Sequence, residues 1–191
     1  GGSGRLGRDA STGHVDDFAL FVDDLAALWR DWAADHPGPL VLAAHSMGGH
    51  IALRAVIEGR VVPSALVLTA PMLDVQPEGV PLVVRRLAAR ALAGLGDPRR
   101  PGWKLSEKPG SPLRLRAQLL THDEARYSDE LWWRDARPEL VLGPGSWGWV
   151  ERAYASMRGL ERRGVLELVA MPVLLLATDR DRLVDFRAIE R

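Results

Sequence analysis

The sequence contains no cysteine among its 191 residues. This absence excludes disulfide bonds, cysteine nucleophiles and thiolate metal sites, and it agrees with a reducing compartment. The formal net charge is zero, so overall charge does not favour nucleic acid or an acidic polymer as a partner. No apolar run approaches the roughly 20 residues that span a bilayer. No histidine pair has the HxxxH or HExxH spacing of a zinc site, and we expect neither a metal nor a cofactor.

Both ends of the sequence have the pattern of a chain that continues further. The first residue is not methionine, and the opening GGSGRLGRDASTG is loop-like without a signal-peptide pattern. The final FRAIER has the pattern of a helix that is just beginning. We therefore expect the chain to be cut at both ends. We also expect a cytoplasmic location, with peripheral membrane contact as the alternative.

Apolar periodicity predicts a core of alternating strands and helices. Spacings of three and four residues predict helices, and short apolar runs predict buried strands. The expected elements are a helix at 14–36 with Asp16 and Asp17 in its first turn, a strand at 40–44, a helix at 49–58, and strands at 64–70 and 172–178. A strand, a helix and a strand at this spacing form a βαβ unit, so the fold class is α/β with a parallel sheet.

A long stretch between the second and third predicted strands differs in character. It is rich in proline and holds five of the seven tryptophans, which predicts a mostly helical insertion that caps the core. The expected domain organisation is a first part of the core at 1–75, a helical cap at 76–168, and a return to the core at 169–191.

Ser46 stands between a predicted strand and a predicted helix, in the sequence LVLAAHSMGGHIALR. A nucleophilic serine uses such a corner, because the strained turn lifts Oγ above the sheet edge and needs small residues two positions before and after. Those positions hold Ala44 and Gly48. The following helix N-terminus favours a developing oxyanion, with the Met47 N–H as donor. The alternative is a serine that only caps the helix. Ser146, in PGSWG, follows no predicted strand, and we expect a loop there.

The acid of a serine triad belongs on a loop after a later strand. The segment ATDRDRLVD follows the third predicted strand and offers Asp179, Asp181 and Asp185. A basic partner is harder to find, because no histidine follows this loop. We expect His45 to pack beside the elbow, and His122 could approach only from the cap. The histidines of the sequence are His14, His36, His45, His50 and His122. The triad is therefore expected to be incomplete within these residues.

Five segments together resemble the lysophospholipase and monoacylglycerol-lipase-like branch of the α/β-hydrolase superfamily, the bacterial lysophospholipase type above all. These segments are GHVDDFALFVDDL, LAAHSMGGHIALR, LVLTAPMLDV, GSWGWV and PVLLLATDRDRLVD. The resemblance implies an α/β-hydrolase core with a cap, Ser46 as nucleophile and Asp181 as triad acid, with Asp179 as the fallback. It also implies a histidine on a loop after the acid and a second oxyanion donor ahead of residue 1. Both lie outside this chain, so we expect the 191 residues alone to be inactive.

The cap suggests what the substrate is. Its tryptophans offer large apolar faces, and Trp147 and Trp149 are candidates to line an acyl-chain pocket, with packing of the cap as the alternative. Basic residues outnumber acidic ones from residue 81 to residue 120. The segment PLVVRRLAARALAGL has the pattern of an amphipathic helix, which could rest on anionic lipid. The expected substrate is a small-molecule ester or lipid, such as a lysophospholipid or monoacylglycerol.

Two alternatives to an ester hydrolase follow from the same sequence. An amidase or an acyltransferase would use the same scaffold with a different acceptor or leaving group. A catalytically inactive fragment or degenerate copy would keep the fold and bind lipid through the cap. Chain length of the acyl group, head group and oligomeric state are not predicted.

Overall fold

The computed structural model describes residues 12–76, 80–104 and 116–191. The helices and strands in this part of the chain are α1 (Ala19–Ala34), β1 (Val41–His45), α2 (Ser46–Ile57), β2 (Ala65–Thr69), α3 (Leu82–Gly94), α4 (Arg116–Leu120), α5 (Glu124–Ala136), α6 (Trp147–Leu160), β3 (Val173–Leu176) and α7 (Phe186–Glu190). Two 3₁₀ turns lie at Pro138–Leu140 and Leu166–Leu168. Residues 1–11 of the predicted opening loop lie outside the described residues, as do Lys108 and Arg114 of the predicted basic segment.

The described strands form one parallel sheet in the order β1-β2-β3. Val41 pairs with Ala65, the first residues of β1 and β2, and Val173, the first residue of β3, pairs with Leu66. The predicted parallel α/β core is therefore confirmed. The prediction that all three strands are buried is wrong for β1 and β3. These two are the edge strands of the described sheet, whereas central β2 buries Leu66 and Leu68 completely.

The core of the α/β part lies where α1 and α2 pack together and α2 packs on β1 and β2. Its buried cluster consists of Ala52, Leu53, Leu66, Leu68 and Leu160. Burying a leucine side chain stabilises a fold by roughly 1.5–3 kcal/mol. Because α2 contributes two members of this cluster, its axis is held firmly against the sheet.

Two helix boundaries differ from the sequence prediction. α1 begins at Ala19, later than predicted, and Asp16 and Asp17 precede it. The Asp17 carboxylate accepts the Ala19 N–H at 2.9 Å. A bond of this kind caps a helix N-terminus, so it marks the place where the helix starts. α2 begins earlier than predicted, at Ser46 itself.

The chain divides into two compact units. One contains residues 1–16 and 80–151, and the other contains residues 17–79 and 152–191. The second unit holds the whole sheet, and α3, α4 and α5 belong to the first. The domain boundaries predicted at 75/76 and 168/169 stay predictions. Across the described ranges, no helix is both long and apolar enough to cross a membrane.

Candidate active site

Ser46 occupies a strained corner between β1 and α2. His45 before it is extended, with φ −122° and ψ 142°, and Ser46 has a φ of +51°. A non-glycine residue in this left-handed region costs on the order of 1–3 kcal/mol, and such residues cluster at functional sites. Simple helix capping requires no such strain. The corner therefore has the geometry of a nucleophile elbow rather than that of an ordinary cap.

The corner is fixed by the loop that follows β2. The Met72 N–H donates to the Ser46 carbonyl oxygen at 3.0 Å. A Cβ added at Gly49 would lie 3.0 Å from Pro71 Cβ and 3.1 Å from Pro71 Cα, whereas a Cβ at Gly48 would meet no described atom within 4 Å. The sequence pattern predicts the need for a small residue at Gly48. In this structure the close approach occurs one residue later, because Pro71 packs against Gly49.

The Met47 amide lies in the first turn of α2. The first N–H groups of a helix have no partner within the helix, and they carry the positive end of its dipole. The twelve residues of α2 point this end at the Ser46 corner. The predicted oxyanion donor is therefore at a helix N-terminus beside Ser46, where a backbone N–H stabilises a developing negative charge.

Asp181 lies on the loop after β3, and one of its oxygens is held by the backbone. Its Oδ1 accepts N–H bonds from Leu183 at 2.7 Å and Val184 at 2.8 Å. The Gln76 side-chain amide donates to the Asp181 carbonyl oxygen at 2.6 Å. These three hydrogen bonds fix the loop and the direction of the carboxylate, and none of them uses Oδ2.

The other two acids of this loop have different surroundings. The Asp185 side chain accepts the Arg187 N–H at 3.0 Å and caps α7, so it is engaged in helix formation. Asp179 is exposed and makes no hydrogen bond through its side chain within the described ranges. Asp181 and Asp185 are both half-buried. The Asp181 carboxylate is fixed without capping a helix, so it fits an orienting role better than Asp185 or the exposed Asp179 does.

Ser46 and Asp181 both follow strands at the carboxyl end of the parallel sheet. Each follows the carboxyl end of its strand, with β2 between the two strands. Neighbouring strands are about 4.8 Å apart, so β1 and β3 are separated by about 10 Å. This separation leaves a gap for one intervening side chain, as a bridging imidazole would require.

No histidine of the described residues hydrogen-bonds Ser46, and four are engaged elsewhere. His36 contacts the Trp32 carbonyl oxygen. His45 is exposed, so the expectation that it packs beside the elbow is wrong. It lies on edge strand β1, and its ring hydrogen-bonds Thr69 at the end of β2. His122 is exposed. The remaining two, His14 and His50, bond other serines.

His50 is completely buried four residues after Ser46 on α2. Its Nε2 lies 2.6 Å from Ser156 Oγ, to which Arg54 also donates at 2.9 Å. Burial, and to a smaller extent the Arg54 guanidinium, lowers the pKa of His50 from 6.5 to about 4. The Met72 backbone has a smaller effect, which raises the pKa of His50. Among the described residues, the Nδ1 atom of His50 has no hydrogen-bond partner. The ring is therefore neutral near pH 7 and joins α2 to α6.

The network around His50 was not predicted from the sequence. Ser156 lies more than a hundred residues from His50, and no spacing rule connects them. The only available signal was a histidine within an otherwise apolar helix face, followed four residues later by Arg54.

The chain matches one family model over residues 1–191, described as Hydrolase_4, serine aminopeptidase, S33. It is also 34% identical, over 196 aligned residues, to lysophospholipase L2 of Escherichia coli K12. That alignment covers 100% of this chain and 55% of the relative. The chain belongs to the serine aminopeptidase S33 family. It spans about half the length of the curated relatives it matches.

Solved structures show the same fold. A soluble variant of monoglyceride lipase from Saccharomyces cerevisiae, in complex with a substrate analog, aligns with a TM-score of 0.67 and 19% identity, covering 95% of this chain and 57% of that one. Paleococcus ferrophilus monoacylglycerol lipase aligns with a TM-score of 0.59 and 20% identity, covering 88% and 58%. These structures confirm the predicted α/β-hydrolase fold. The family model and the lysophospholipase relative confirm the predicted lysophospholipase and monoacylglycerol-lipase-like branch.

This S33 family member contains a serine–histidine–aspartate arrangement that does not include Ser46. His14 Nδ1 lies 2.6 Å from Ser146 Oγ, and His14 Nε2 lies 3.1 Å from Asp16. Ser146 is completely buried, and its Oγ accepts the Trp149 N–H at 3.0 Å in the first turn of α6. A serine without solvent access that serves a helix N-terminus has a structural role. The predicted loop is thus a buried helix cap.

The two candidate substrate-binding tryptophans lie at the start of α6. Trp149 packs edge-on against Trp103, with ring centroids 6.0 Å apart. A Cβ added at Gly145 would lie within 3.0 Å of both rings, so Trp149 takes part in packing. Trp147 is half-buried. A substrate-binding role for Trp147 and Trp149 stays a prediction.

A metal site requires a cluster of suitable ligands. In the part of the chain that the structure describes, no group of three or more histidine, aspartate or glutamate side chains could hold a metal ion.

Proposed function

We propose that the protein is a serine hydrolase that cleaves carboxylic esters of lysophospholipids or monoacylglycerols. Ser46 is the nucleophile, the Met47 N–H is an oxyanion donor, and Asp181 is the acid that orients the base. The observation that carries the proposal is the positive φ of Ser46 at a strand–helix corner on the same sheet edge as Asp181. The names of the lysophospholipase and monoglyceride lipase relatives support the substrate class.

The proposed reaction is acyl transfer in two steps. Ser46 Oγ forms a bond to the ester carbonyl carbon while its proton passes to an imidazole held by Asp181. The alcohol leaves with that proton, and water then releases the fatty acid from Ser46. The Met47 N–H stabilises the oxyanion in both steps.

We place the imidazole outside these 191 residues. The engaged positions of four histidines and the exposed position of His122 leave Ser46 without a base in the described ranges. The chain also spans only 55% of its curated relative. Without its base, a serine keeps little activity, since loss of a triad member leaves only about 10³–10⁴-fold catalysis over water. We therefore expect the isolated 191 residues to be inactive.

Fatty acid release from lysophosphatidylcholine and from a monoacylglycerol tests the proposal on the full natural protein. Ser46→Ala should lower kcat by about 10⁴-fold or more. Asp181→Asn should lower kcat by about 10⁴-fold. Asp179→Asn, two residues earlier on the same loop, serves as the matched control and should change kcat little. Full activity in Ser46→Ala, or a larger loss in Asp179→Asn than in Asp181→Asn, would contradict these assignments.

Amide hydrolysis is the second candidate, because the description of the matched family names an aminopeptidase. An aminoacyl anilide offered in competition with the ester substrates distinguishes the two. Preference for the anilide, measured as kcat/KM, would favour the amidase. Addition of a competing alcohol tests acyl transfer, which would yield a new ester instead of free fatty acid. The predicted cytoplasmic location stays a prediction.

A further inference from the structure

A cavity of about 370 Å³ opens beside the second half of α2. Its walls come from α2, α6, the two residues just before α1 and the turn that follows α6. All of the lining residues belong to the compact unit that contains the sheet. Arg54, on the cavity wall, comes eight residues after Ser46, which is about 12 Å along the helix axis. The cavity is therefore separate from the Ser46 corner.

The deepest side chains of the cavity are apolar. Phe18 is 1% exposed and Leu160 is 6% exposed, and Ile57 and Val165 are half-buried. Leu160 is part of the buried cluster of the α/β unit, and Ile57 and Val165 pack against that cluster. Small-molecule sites have volumes of about 300–1,000 Å³ and are lined mainly by apolar side chains, with a few polar groups that orient the ligand. This cavity has the size and the apolar lining of such a site.

Arg54 is the half-buried charge of the cavity, with a side chain that is 17% exposed. Its Nε and Nη2 groups donate to Glu58 Oε1 at 2.8 and 2.6 Å, and its Nη1 group donates to Ser156 Oγ at 2.9 Å. A guanidinium carries five N–H donors, so two of them have no acceptor among the described residues. Ser156 is held in turn by the buried His50. The guanidinium is therefore fixed in place before any ligand binds.

Positive charge predominates at the mouth of the cavity. Arg152 and Arg162 line the cavity and are exposed, and Arg162 forms no salt bridge with any described residue. Asp17 and Glu58 are the acidic side chains of the lining. Glu58 is paired with Arg54, and Asp17 accepts a backbone N–H at the start of α1. Three guanidinium groups thus stand against two engaged carboxylates, so the cavity favours an anion.

We propose that this cavity is a second ligand site, which binds a carboxylate that carries a short aliphatic tail. The tail lies against Phe18 and Leu160, and the carboxylate accepts hydrogen bonds from Arg54 and Arg162. Guanidinium groups suit this head group because their planar fork can bind both carboxylate oxygens. A bare anion would leave the apolar wall uncovered, and an uncharged alcohol would leave the Arg162 charge unmatched. Binding here does not require catalysis by Ser46, so the inference goes beyond the proposed function.

Isothermal titration calorimetry of the full natural protein with octanoate tests the site. Octan-1-ol and acetate are the companion ligands, since the first lacks the charge and the second lacks the tail. Octanoate should bind at least about tenfold more tightly than either companion. The reason is that only octanoate uses both the guanidinium groups and the apolar wall.

Two variants test the two halves of the site. Arg162→Gln removes a charge at the mouth and should weaken octanoate binding by about fivefold. A Cβ added at Gly159 would meet no described atom within 4 Å, so Gly159→Leu fills the cavity and should weaken binding by about tenfold or more. Arg158→Gln is the matched control, because Arg158 is exposed on the same helix as Gly159 and does not line the cavity. Circular dichroism of each variant verifies that it is folded.

Four outcomes would overturn the proposal. These are an absence of octanoate binding to the wild-type protein, equal binding by octan-1-ol, equal binding by acetate, and octanoate binding that neither Arg162→Gln nor Gly159→Leu weakens. The last outcome includes binding beside Ser46, which these variants leave intact. Weaker binding in both variants but not in Arg158→Gln supports the proposal, even where the protein hydrolyses no ester. Octanoate binding and ester hydrolysis therefore fail independently of each other.

Discussion

Acidification should destabilise the α/β unit through His50. This ring is completely buried and is bonded to Ser156, beside the Arg54 guanidinium. Its pKa falls from 6.5 to about 4 because burial, more than Arg54, disfavours the charged form. The unfolded chain therefore binds more protons than the folded chain between pH 4 and pH 6.5.

The direction and size of the effect follow from that difference. The stability associated with the neutral ring is fully present above pH 6.5 and is lost as the pH falls towards 4. One pKa unit corresponds to about 1.36 kcal/mol, so the full loss is about 3 kcal/mol below the folded-state pKa. At pH 5 the loss is already about 2 kcal/mol.

Urea unfolding of the full natural protein, followed by tryptophan fluorescence at pH 8 and pH 5, measures this quantity. In His50→Gln the difference in free energy of unfolding between the two pH values should shrink by about 2 kcal/mol. His122→Gln, which removes an exposed histidine, is the matched control and should keep the wild-type difference. An unchanged difference in His50→Gln would refute the assignment of a buried, neutral His50.

Two further predictions concern the supports of the site. In urea unfolding, Gly49→Ala should lower the free energy of unfolding by about 1–3 kcal/mol, because its Cβ would press on Pro71. The control Gly48→Ala should be neutral or slightly stabilising. Equal effects of the two substitutions would contradict the packing of Pro71 against Gly49. Gln76→Ala removes the bond to the Asp181 carbonyl oxygen and should lower kcat by about tenfold with little change in KM. Gln76→Glu, which cannot donate from a carboxylate, should act likewise, and wild-type kcat in both variants would exclude a positioning role.

The strand, corner and helix around Ser46 could be predicted because their signals are local. An apolar run followed by small residues indicates a strand–helix corner, and the positive φ of Ser46 agrees with that pattern. The parallel sheet followed from βαβ spacing in the same way. Local patterns failed at the start of α1, where Asp17 accepts the Ala19 N–H and caps the helix instead of lying within its first turn.

The supports of the site could not be predicted, because they join residues distant in sequence. The approach of Pro71 to Gly49, the bond from Gln76 to Asp181, and the burial of His50 against Ser156 all depend on tertiary packing. The composition of α3 similarly indicated an amphipathic helix. Only the structure shows that Val83, Val84 and Leu87 of this helix are exposed.

The most direct test of the central claim is to locate the serine that reacts with a fluorophosphonate in the full natural protein. Only an activated serine reacts with such a probe. We expect the adduct on the tryptic peptide from Asp31 to Arg54, which contains Ser46, and its loss in Ser46→Ala. Ser146→Ala should keep the adduct, because Ser146 is buried and caps α6. An adduct on the peptide that contains Ser146, or none on that containing Ser46, would contradict the account.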